Sequence, residues 1–449
     1  MIPPKPPSRP NKVSLLQYLR LFRADLLSAQ PARLYRAWMA EFRTVFFRSY
    51  LINQPELVRH VLKDCPMDFP KSDRIGAGLR PLLGNSVFLT NGEIWKRQRR
   101  IIDPAFEGGR LRETYPAMWE AAKAALARFE SRLGEEVEIE EEASHFAADV
   151  IFRTLFSIPI EDALAAEVFH EFRAYQRSQP ILNLAAFIPG PRWMPRFFRR
   201  ETRASAARIR ALITRLTERR KQQIKDGTAP DDLATKIMTT PDPLTGETFS
   251  AEEMVDQVAI FFLAGHETSA SAIGWALYLL ATHREWQERL AGEAQGLAED
   301  FSSITRMKIS RDVFRETLRL YPPVPMMVRQ STKRENFRDR QVPRGSQIVL
   351  SPWHLHRHER LWDNPDGFDP ARWQGSNAQS CARDAYIPFS AGPRVCSGAG
   401  FAMIEGPLML SMLLRDISVT PVPGRVPMPQ AHLTVRARDG IWLRLSRRE

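Results

Sequence analysis

The chain has 449 residues and a net charge of +12, because 64 lysines and arginines outnumber 52 aspartates and glutamates. That balance favours acidic partners, whether protein, nucleic acid or anionic membrane. The three cysteines exclude a disulfide-rich secreted protein and fit a reducing compartment. Residues 1–20 contain no uninterrupted apolar core, which excludes a secretory signal and an amino-terminal transmembrane anchor, so we expect a cytoplasmic protein.

No internal repeat and no linker rich in proline, glycine or serine divides the sequence. Length alone would suggest about three domains, but the undivided sequence predicts one domain over residues 1–449. The opening stretch is rich in proline, and we expect residues 1–12 to form a flexible leader.

Helical periodicity dominates the predicted elements. In chain order, apolar residues at helical spacing predict helices over residues 111–133, 204–225, 251–283 and 310–320. Strand-like stretches are short and scattered, at residues 44–52, 347–351 and 433–445. The sequence therefore predicts a mainly α protein with small β-sheets at one edge, an α+β fold class.

A basic run is the first motif along the chain. Trp95 and Arg99 are one helical turn apart, while Lys96, Arg97 and Arg100 occupy the other faces. Such a run is typical of a nucleic-acid or targeting patch, and a merely solvated helix face is the plainer alternative. The run by itself leaves the choice open.

The longest predicted helix begins with a capping box, in which the side chains of Ser250 and Glu253 each bind the other residue's backbone N–H. Residues 258–281 are then apolar nearly all round, which is typical of a helix in a protein core. A membrane span is the alternative, but His266 and Glu267 near the middle would be costly in lipid.

The middle of that helix carries Glu267 and Thr268 close to Gly265. Buried polar groups need partners, and glycine weakens a helix locally. An acid, a hydroxyl and a yielding backbone together suit the binding of a small polar ligand and the transfer of protons to it. A satisfied polar cluster in the core is the alternative.

The next motif lies near the end of the helix predicted over residues 310–320. Glu316 and Arg319 are three residues apart on one helical face, where opposite charges pair, and a double proline follows. Arg372 lies downstream in a loop that is rich in proline and tryptophan. Because an arginine fork binds a carboxylate through two hydrogen bonds, we expect Glu316, Arg319 and Arg372 to tie the helix to this loop.

The last motif surrounds Cys396. Gly392 and Gly398 flank the cysteine, Phe389 precedes them, and Arg394 lies two residues before it. Small residues permit positive φ angles and a close approach to a flat ligand, and nearby positive charge favours thiolate over thiol. The loop suits an axial thiolate ligand to iron, whereas a structural cysteine in a glycine-rich turn is the alternative.

In chain order the motifs read Trp-x-x-x-Arg, Ala-Gly-x-Glu-Thr, Glu-x-x-Arg, Phe-x-Pro-x-Arg and Phe-x-x-Gly-x-Arg-x-Cys-x-Gly. The series resembles the cytochrome P-450 family of haem-thiolate monooxygenases. The resemblance runs through motifs from Trp95 to Gly400, and it implies the cytochrome P-450 fold, with a long central helix over haem b. It argues against a nucleic-acid role for the basic run.

The resemblance assigns roles residue by residue. It implies that Cys396 is the proximal thiolate and metal ligand, that Thr268 hydrogen-bonds dioxygen, and that Glu267 is the acid of the proton relay. Ala264 and Gly265 resemble the small residues that open a groove for oxygen. The residues similar to those that hold haem or shape its loop are Trp95, Arg99, Arg329, His356, Phe389, Gly392, Arg394 and Gly398. Of these, His356 fits the pattern loosely, and a structural surface histidine is the alternative.

The resemblance also implies a substrate and a place for it. The implied pocket positions are Phe261, Phe262, Ala264, Met326, Met327 and Leu433, with ordinary core packing as the alternative for each. Residues 181–198 look like the lid of an access channel, although a membrane-touching patch is the alternative. The implied reaction inserts one atom of dioxygen into a small apolar or aromatic organic substrate, by hydroxylation or a related oxidation.

The implied source of electrons is a separate protein. No flavin or iron–sulfur region follows the cysteine loop, so we expect electrons from NAD(P)H through a ferredoxin reductase and a ferredoxin. An acidic ferredoxin is expected to dock on Lys96, Arg97 and Arg100. We also expect a monomer with no nucleic-acid partner. A peroxide-driven peroxygenase and a non-enzymatic haem-thiolate sensor or carrier are the alternatives, and the Glu267–Thr268 pair argues against both.

Overall fold

The computed structural model of the protein describes residues 2–43, 48–178, 200–374 and 385–448. Its α-helices, numbered in chain order, are α1 (Leu15–Ala24), α2 (Pro55–Arg59), α3 (Asp73–Leu83), α4 (Gly92–Ile102), α5 (Gly109–Glu130), α6 (Ile139–Phe156), α7 (Ala163–Ser178), α8 (Arg200–Lys225), α9 (Leu233–Thr239), α10 (Ala251–Thr282), α11 (Arg284–Ala294), α12 (Phe301–Arg306), α13 (Lys308–Leu320), α14 (Pro352–Leu355) and α15 (Ala399–Asp416).

The strands are short. They are β1 (Met39–Arg43), β2 (Arg48–Ile52), β3 (Glu136–Glu138), β4 (Met327–Gln330), β5 (Glu335–Phe337), β6 (Arg340–Val342), β7 (Gln347–Leu350), β8 (Ile417–Pro421), β9 (Pro429–Ala431), β10 (Val435–Ala437) and β11 (Trp442–Arg447). The largest sheet has the order β1-β2-β7-β4, in which β2 and β7 run parallel and the other neighbours antiparallel. A second sheet has the order β3-β11-β8, while β5–β6 and β9–β10 are two-stranded pairs. The prediction of a mainly α fold with small sheets is confirmed.

Most predicted elements are present within a few residues of their predicted ends. The helices α5, α8, α10 and α13 correspond to the four predicted helices, and β2 and β7 to two of the predicted strands. The strand predicted over residues 433–445 is instead divided between β10 and β11. The reason is Gly440, which has φ +75° in the turn between them, because a left-handed backbone interrupts an extended strand. Residues 44–47 of the first predicted strand lie outside the described residues.

The chain forms two compact units. The larger unit comprises Met1–Pro70, Ala122–Ser144 and Thr268–Glu449, and it contains the sheets. The smaller unit comprises Lys71–Ala121 and His145–Glu267, and its described elements are helical. Three of the four boundaries between the units fall inside α5, α6 and α10, and the fourth lies between Pro70 and Lys71.

One core cluster of the larger unit lies against its four-stranded sheet. Tyr50, Ile348 and Leu350 of the sheet pack with Trp362 in one almost fully buried cluster. Each large apolar side chain buried in this way stabilises the fold by roughly 1.5–3 kcal/mol. Ile387 belongs to the same cluster, so the core fixes the chain just before it enters the cysteine loop.

The long helix α10 begins with the predicted capping box. The backbone N–H of Ser250 donates to Glu253 Oε2 at 2.9 Å, and the backbone N–H of Glu253 donates to Ser250 Oγ at 3.2 Å. The helix then continues over 32 residues. Among the helices of the described residues, none combines the length and the hydropathy that a membrane crossing requires.

The amino-terminal segment packs on the larger unit and is not a flexible leader along its whole length. Lys5 Nζ lies 2.5 Å from Asp366 Oδ2, and the Tyr321 hydroxyl donates to the carbonyl oxygen of Pro4 at 2.8 Å. Farther along, Arg9 Nε donates to a main-chain carbonyl at 2.6 Å. The expectation of a loose leader over residues 1–12 is therefore corrected. The proline-rich composition indicated a leader, but prolines restrict the unfolded chain and so reduce the entropy lost on docking.

Candidate functional site

Glu316 and Arg319 form a fully buried ion pair at the end of α13. Neither side chain has exposed surface, and Arg319 Nη2 and Nε lie 2.8 and 2.9 Å from Glu316 Oε1 and Oε2. The other Arg319 donors bind the main-chain carbonyls of His356, Pro365 and Gly367. A buried ion pair is stable when further hydrogen bonds satisfy its remaining polar atoms, and this pair meets that condition.

Arg372 contacts the same carboxylate, but its contact is longer. Arg372 Nε lies 3.4 Å from Glu316 Oε1, and Arg372 Nη1 donates to the carbonyl oxygen of Asp363 at 2.8 Å. Trp373 also donates its indole N–H to Glu316 Oε2 at 3.1 Å. Sequence reasoning missed this indole, although an N–H donor directly after Arg372 was the available signal. The tie between helix and loop thus uses an indole as well as two guanidinium groups.

His356 belongs to this cluster and offers no surface to a cofactor. Its ring is fully buried, and its Nε2 accepts a hydrogen bond from the backbone N–H of Ile387 at 2.8 Å. Burial, with help from the charge of Arg319, lowers the pKa of His356 to about 3, so the ring is neutral at neutral pH. The cofactor-binding role predicted for His356 is therefore corrected, because an enclosed side chain cannot contact a ligand. The ring instead holds the chain that leads into the cysteine loop.

Main-chain hydrogen bonds close the cysteine loop. The N–H of Cys396 donates to the carbonyl oxygen of Phe389 at 2.9 Å, and the N–H of Ala399 donates to the carbonyl oxygen of Cys396 at 3.2 Å. Gly392 has φ +68°, and a Cβ atom there would overlap the carbonyl oxygen of Leu62. Both the conformation and the space at position 392 therefore require glycine.

The cysteine itself lies just before a helix. The helix α15 begins at Ala399 with Gly398 as its cap, and the Cys396 side chain is exposed. N–H groups at a helix amino terminus favour a nearby negative charge, and so they favour thiolate over thiol. Cys65, by contrast, is partly buried against the core of the larger unit. Of these two cysteines, Cys396 has the exposure that a metal ligand needs.

Arg329 gives the larger unit a buried positive charge without an anionic partner among the described residues. The side chain on β4 is 5% exposed, yet its guanidinium has no ion pair or hydrogen bond among the described residues. Burial lowers its pKa to about 10. A buried charge without a partner is costly, so we expect a ligand carboxylate at this position. A haem propionate would supply it, and an exposed thiol in the same unit fits the iron of that group.

The helix α4 in the smaller unit carries the other predicted propionate contacts. Trp95 is buried, and Arg99, one turn farther along, has its Nε 2.8 Å from Asp103 Oδ2. The contact with Asp103 involves one nitrogen of a guanidinium that has five N–H groups. Trp95 and Arg99 therefore stay predicted contacts of a propionate.

Arg97 and Arg100, two of the predicted docking residues, also form ion pairs within the protein. Arg97 Nη1 lies 2.6 Å from Glu253 Oε1, and Arg100 Nε lies 2.5 Å from Oδ1 of the buried Asp242. The hydrogen bond from Arg100 holds the pKa of Asp242 well below its ordinary value. These contacts anchor residues 242–253, and the docking role of the two arginines stays a prediction. Of the three predicted docking residues, Lys96 keeps the most exposed side chain.

One strip of α10 is accessible in the middle of an otherwise buried helix. Phe261, Gly265 and Thr268 are half-buried, and Ala264 is exposed. Their spacing of three and four residues places them on one helix face. A strip of small, aromatic and hydroxyl-bearing residues offers a ligand both apolar contact and a hydrogen bond. The structure thus brings together these four residues of the predicted oxygen groove and pocket.

Phe262 faces the core instead. It lies roughly a third of a turn from its neighbour in that strip, and its ring centre is 4.5 Å from that of Phe152 and 5.9 Å from that of Phe172. The pocket role predicted for Phe262 is wrong, and the packing alternative holds. Packing is also close at Gly265, where a Cβ atom would lie 2.8 Å from Ile151 Cδ1.

The remaining pocket predictions lie in the larger unit. Met326 and Met327 are half-buried, and Met327 also packs against the core cluster of the sheet. Leu433 is 38% exposed in the turn between β9 and β10. Because all three side chains keep accessible surface, they stay predicted pocket residues. The predicted lid at residues 181–198 lies outside the described residues.

The relay acid predicted on α10 has a hydrogen-bond donor in the smaller unit. Glu267 is buried, and Gln176 on α7 donates from Nε2 to Glu267 Oε2 at 3.2 Å. An amide stabilises a carboxylate without adding a proton or a charge. Gln176 can therefore hold the Glu267 side chain in place. Gln176 could not be found from the sequence, because it belongs to no motif.

A second acid lies deep in the larger unit and also escaped sequence reasoning. Glu405 on α15 is 2% exposed, and its Oε2 accepts a hydrogen bond from the hydroxyl of Ser269 at 2.7 Å. Its Oε1 has no hydrogen-bond partner within the described residues. Burial raises the pKa of Glu405 to about 8. The carboxyl group is therefore mainly protonated at neutral pH.

We expect Glu405→Gln to become more stabilising as pH rises. The folded-state pKa of about 8 lies above the ordinary value of 4.5. The folded protein therefore binds an extra proton between these values, and its stability falls as pH rises through that window. Glutamine does not titrate, so the stability of the variant relative to the native chain should increase by about 3 kcal/mol between about pH 5 and about pH 8. Urea unfolding at the two pH values measures it, and a pH-independent difference would contradict a neutral buried acid.

Three features fit a haem-thiolate oxygenase: an exposed cysteine in a glycine loop, a core helix with an accessible threonine, and a buried arginine that has no anionic partner in the described part of the chain. The chain belongs to the cytochrome P-450 family, because the family model described as Cytochrome P-450 matches residues 3–442. The family resemblance expected from the motifs is thereby confirmed, and with it haem as the cofactor of the family.

Named relatives and solved structures agree. The chain is 32% identical over 438 residues to cyclooctat-9-en-7-ol 5-monooxygenase of Streptomyces melanosporofaciens, covering 94% of this chain and 92% of the relative. It is 28% identical to cytokinin hydroxylase of Arabidopsis thaliana, covering 87% and 77%. The heme domain of cytochrome P-450DA shares the fold with a TM-score of 0.80 at 23% identity, covering 100% of this chain and 98% of that one. The protein is thus a monooxygenase with the cytochrome P-450 fold.

Proposed function

We propose that this protein oxidises a small apolar or aromatic organic molecule with one atom of dioxygen, using haem b bound through Cys396. The observation that carries the proposal is the exposed Cys396 before α15, in the same unit as a buried Arg329 that has no anion among the described residues. A relative named as a monooxygenase of cyclooctat-9-en-7-ol supports a largely hydrocarbon substrate.

Haem supplies the iron at which dioxygen is reduced and split. In the proposal Cys396 holds the iron as a thiolate, and the glycine loop keeps that sulfur exposed. Arg329 and Arg394 bind propionates as charged donors, and Trp95 and Arg99 do the same from α4.

The proton chemistry falls to α10. The Thr268 hydroxyl would donate a hydrogen bond to the reacting oxygen. The buried Glu267 would pass protons toward that oxygen. The amide of Gln176 would keep the Glu267 carboxylate in one orientation. Phe261, Ala264 and the pocket methionines would hold the substrate by apolar contact, since methionine adapts to many shapes.

A ligand screen that follows the haem spin state tests the substrate class. Cyclic hydrocarbon alcohols, fatty acids and small aromatic compounds should be compared with polar compounds of similar size. We expect apolar compounds to displace water from the iron and shift the spectrum. A shift produced only by polar or highly charged compounds would overturn the apolar assignment.

Thr268→Ala is expected to divert electrons from product to hydrogen peroxide. Without the hydroxyl, protons are no longer directed to the reacting oxygen. The yield of product per pair of electrons consumed should therefore fall by about tenfold or more. Product and peroxide are measured together, with hydrogen peroxide alone as a second oxidant to test for a peroxygenase. Thr282→Ala is the matched control on the same helix, since that hydroxyl bonds back to main-chain carbonyls. Fully coupled turnover in T268A would contradict the relay.

We further propose that electrons come from NAD(P)H through a separate acidic ferredoxin, with Lys96 as one docking residue. Lys96→Glu should slow reduction by an acidic ferredoxin severalfold at low ionic strength, and salt should remove the difference. Lys225→Glu, an exposed lysine at the end of α8, is the control. Equal reduction rates for the two variants would remove Lys96 from the docking surface. The cytoplasmic location and the monomeric state stay predictions.

A further inference from the structure

Glu405 takes no part in the proposed binding of haem or in the proposed proton transfer. The acid lies on α15 nine residues after Cys396, and its hydrogen-bond partner Ser269 directly follows Thr268 on α10. Both partners belong to the larger unit. The bond therefore joins the helix that begins after the cysteine loop to the helical turn that carries the threonine.

A purely structural explanation accounts poorly for an acid at this position. Glu405 is 2% exposed, and one of its oxygens has no hydrogen-bond partner among the described residues. Its other oxygen accepts a hydrogen bond from the neutral hydroxyl of Ser269. An apolar side chain of similar volume would avoid the cost of burying an incompletely satisfied polar group. The surrounding residues of α15, Leu408 to Leu410, are apolar and fully buried. Glu405 is thus a buried acid next to an apolar segment of its own helix.

The turn that Ser269 occupies needs an anchor. Gly265 lies one turn earlier on α10, and glycine lowers the local stability of a helix. Consecutive helical residues share one rigid backbone, so a displacement of Ser269 is a displacement of Thr268. Misplacement of a reacting group by about 1 Å can slow a reaction by about a hundredfold.

We propose that Glu405 is a positioning residue that uses its hydrogen bond with Ser269 to fix Thr268 relative to the helix that follows the thiolate loop. This inference rests on the proposed roles of Cys396 and Thr268. It adds that the proximal cysteine segment and the oxygen-binding turn are mechanically coupled through one buried side-chain pair.

Four variants test the coupling. Glu405→Leu and Ser269→Ala each remove the hydrogen bond between the two side chains. The double variant removes the same single hydrogen bond. Glu405→Gln keeps the side-chain volume and leaves a polar group for Ser269. Ser310→Ala is the matched control, because the buried Ser310 hydroxyl donates to the carbonyl oxygen of Pro407 on the same helix α15 at 3.0 Å and makes no hydrogen bond to α10 within the described residues.

The readout needs no substrate. Holoprotein is reduced with dithionite, mixed with dissolved dioxygen, and its reoxidation is followed in the haem absorption band. Because a displaced Thr268 would hydrogen-bond dioxygen less well, E405L and S269A should each reoxidise about threefold to tenfold faster, the factor that one hydrogen bond provides. The double variant should match the single variants, E405Q should stay within about twofold of the native chain, and S310A should be unchanged.

Three results would overturn the proposal: multiplied effects in the double variant, a native rate in S269A, or an equal acceleration in S310A. S269A, the smaller change, decides the matter where E405L does not fold. The spectrum of the reduced native protein with carbon monoxide tests the proposed function separately from the positioning role of Glu405. Without a thiolate-type spectrum the proposed function fails and this inference fails with it. With that spectrum and unaltered reoxidation in S269A, the positioning role alone fails.

Discussion

Cys396→Ser is expected to abolish the thiolate-type reduced carbon monoxide spectrum and to reduce turnover by at least about a hundredfold. A thiolate donates electron density to iron and so favours cleavage of the oxygen–oxygen bond. Serine has the same shape but a hydroxyl that does not ionise at neutral pH. Changes of residues that merely orient a metal ligand already cost about 10–100-fold, so loss of the ligand itself should cost more.

Cys65→Ser is the matched control for that experiment. Cys65 is half-buried against the core of the larger unit and lies outside the cysteine loop, so the variant should keep the native spectrum and turnover. Absorption of the carbon monoxide complex is measured with the haem content of each preparation. A native spectrum in C396S, or its loss in C65S, would contradict the assignment of Cys396 as the ligand.

Glu316→Gln is expected to destabilise the protein by about 3–5 kcal/mol, because it leaves a buried guanidinium without its counter-charge. The Arg319 side chain has no exposed surface and cannot turn toward water. The same carboxylate also accepts hydrogen bonds from Arg372 and Trp373. A loss of this size is a large fraction of the roughly 5–15 kcal/mol that keeps a domain folded, so the yield of holoprotein should fall as well.

An exposed pair of the same spacing gives the control. Arg110 and Glu113 are also three residues apart on a helix, with Arg110 Nη1 2.7 Å from Glu113 Oε2, but the Glu113 side chain is 56% exposed. Glu113→Gln should change stability by less than about 1 kcal/mol. Urea unfolding compares the two variants. Similar effects in both would mean that burial does not decide the role of the Glu-x-x-Arg motif.

The sequence was most informative where chemistry depends on neighbours along the chain. The glycine loop, the capping box of α10 and the Glu316–Arg319 pair each involve residues that are separated by only a few positions. Their geometry follows from local backbone rules. The order of such local motifs was also enough to indicate the cytochrome P-450 family.

The sequence was least informative where a side chain finds a distant partner. Arg100 binds Asp242 across 142 positions, and Ser269 binds Glu405 across 136 positions, and no spacing rule predicts either contact. Phe262 was misassigned for a related reason. Its place in the pocket or the core depends on which face of α10 is covered, and that depends on the packing of the aromatic residues of α6 and α7.

The docked amino terminus affects how this protein should be handled. The proline-rich composition of the first residues invites their removal before expression. Such a truncation would delete Lys5 and with it the contact to Asp366. It would also leave the Tyr321 hydroxyl, in a 0% exposed residue, without the Pro4 carbonyl that accepts its hydrogen bond. Purification tags and fusion partners should therefore extend the chain ahead of its first residue and replace none of it.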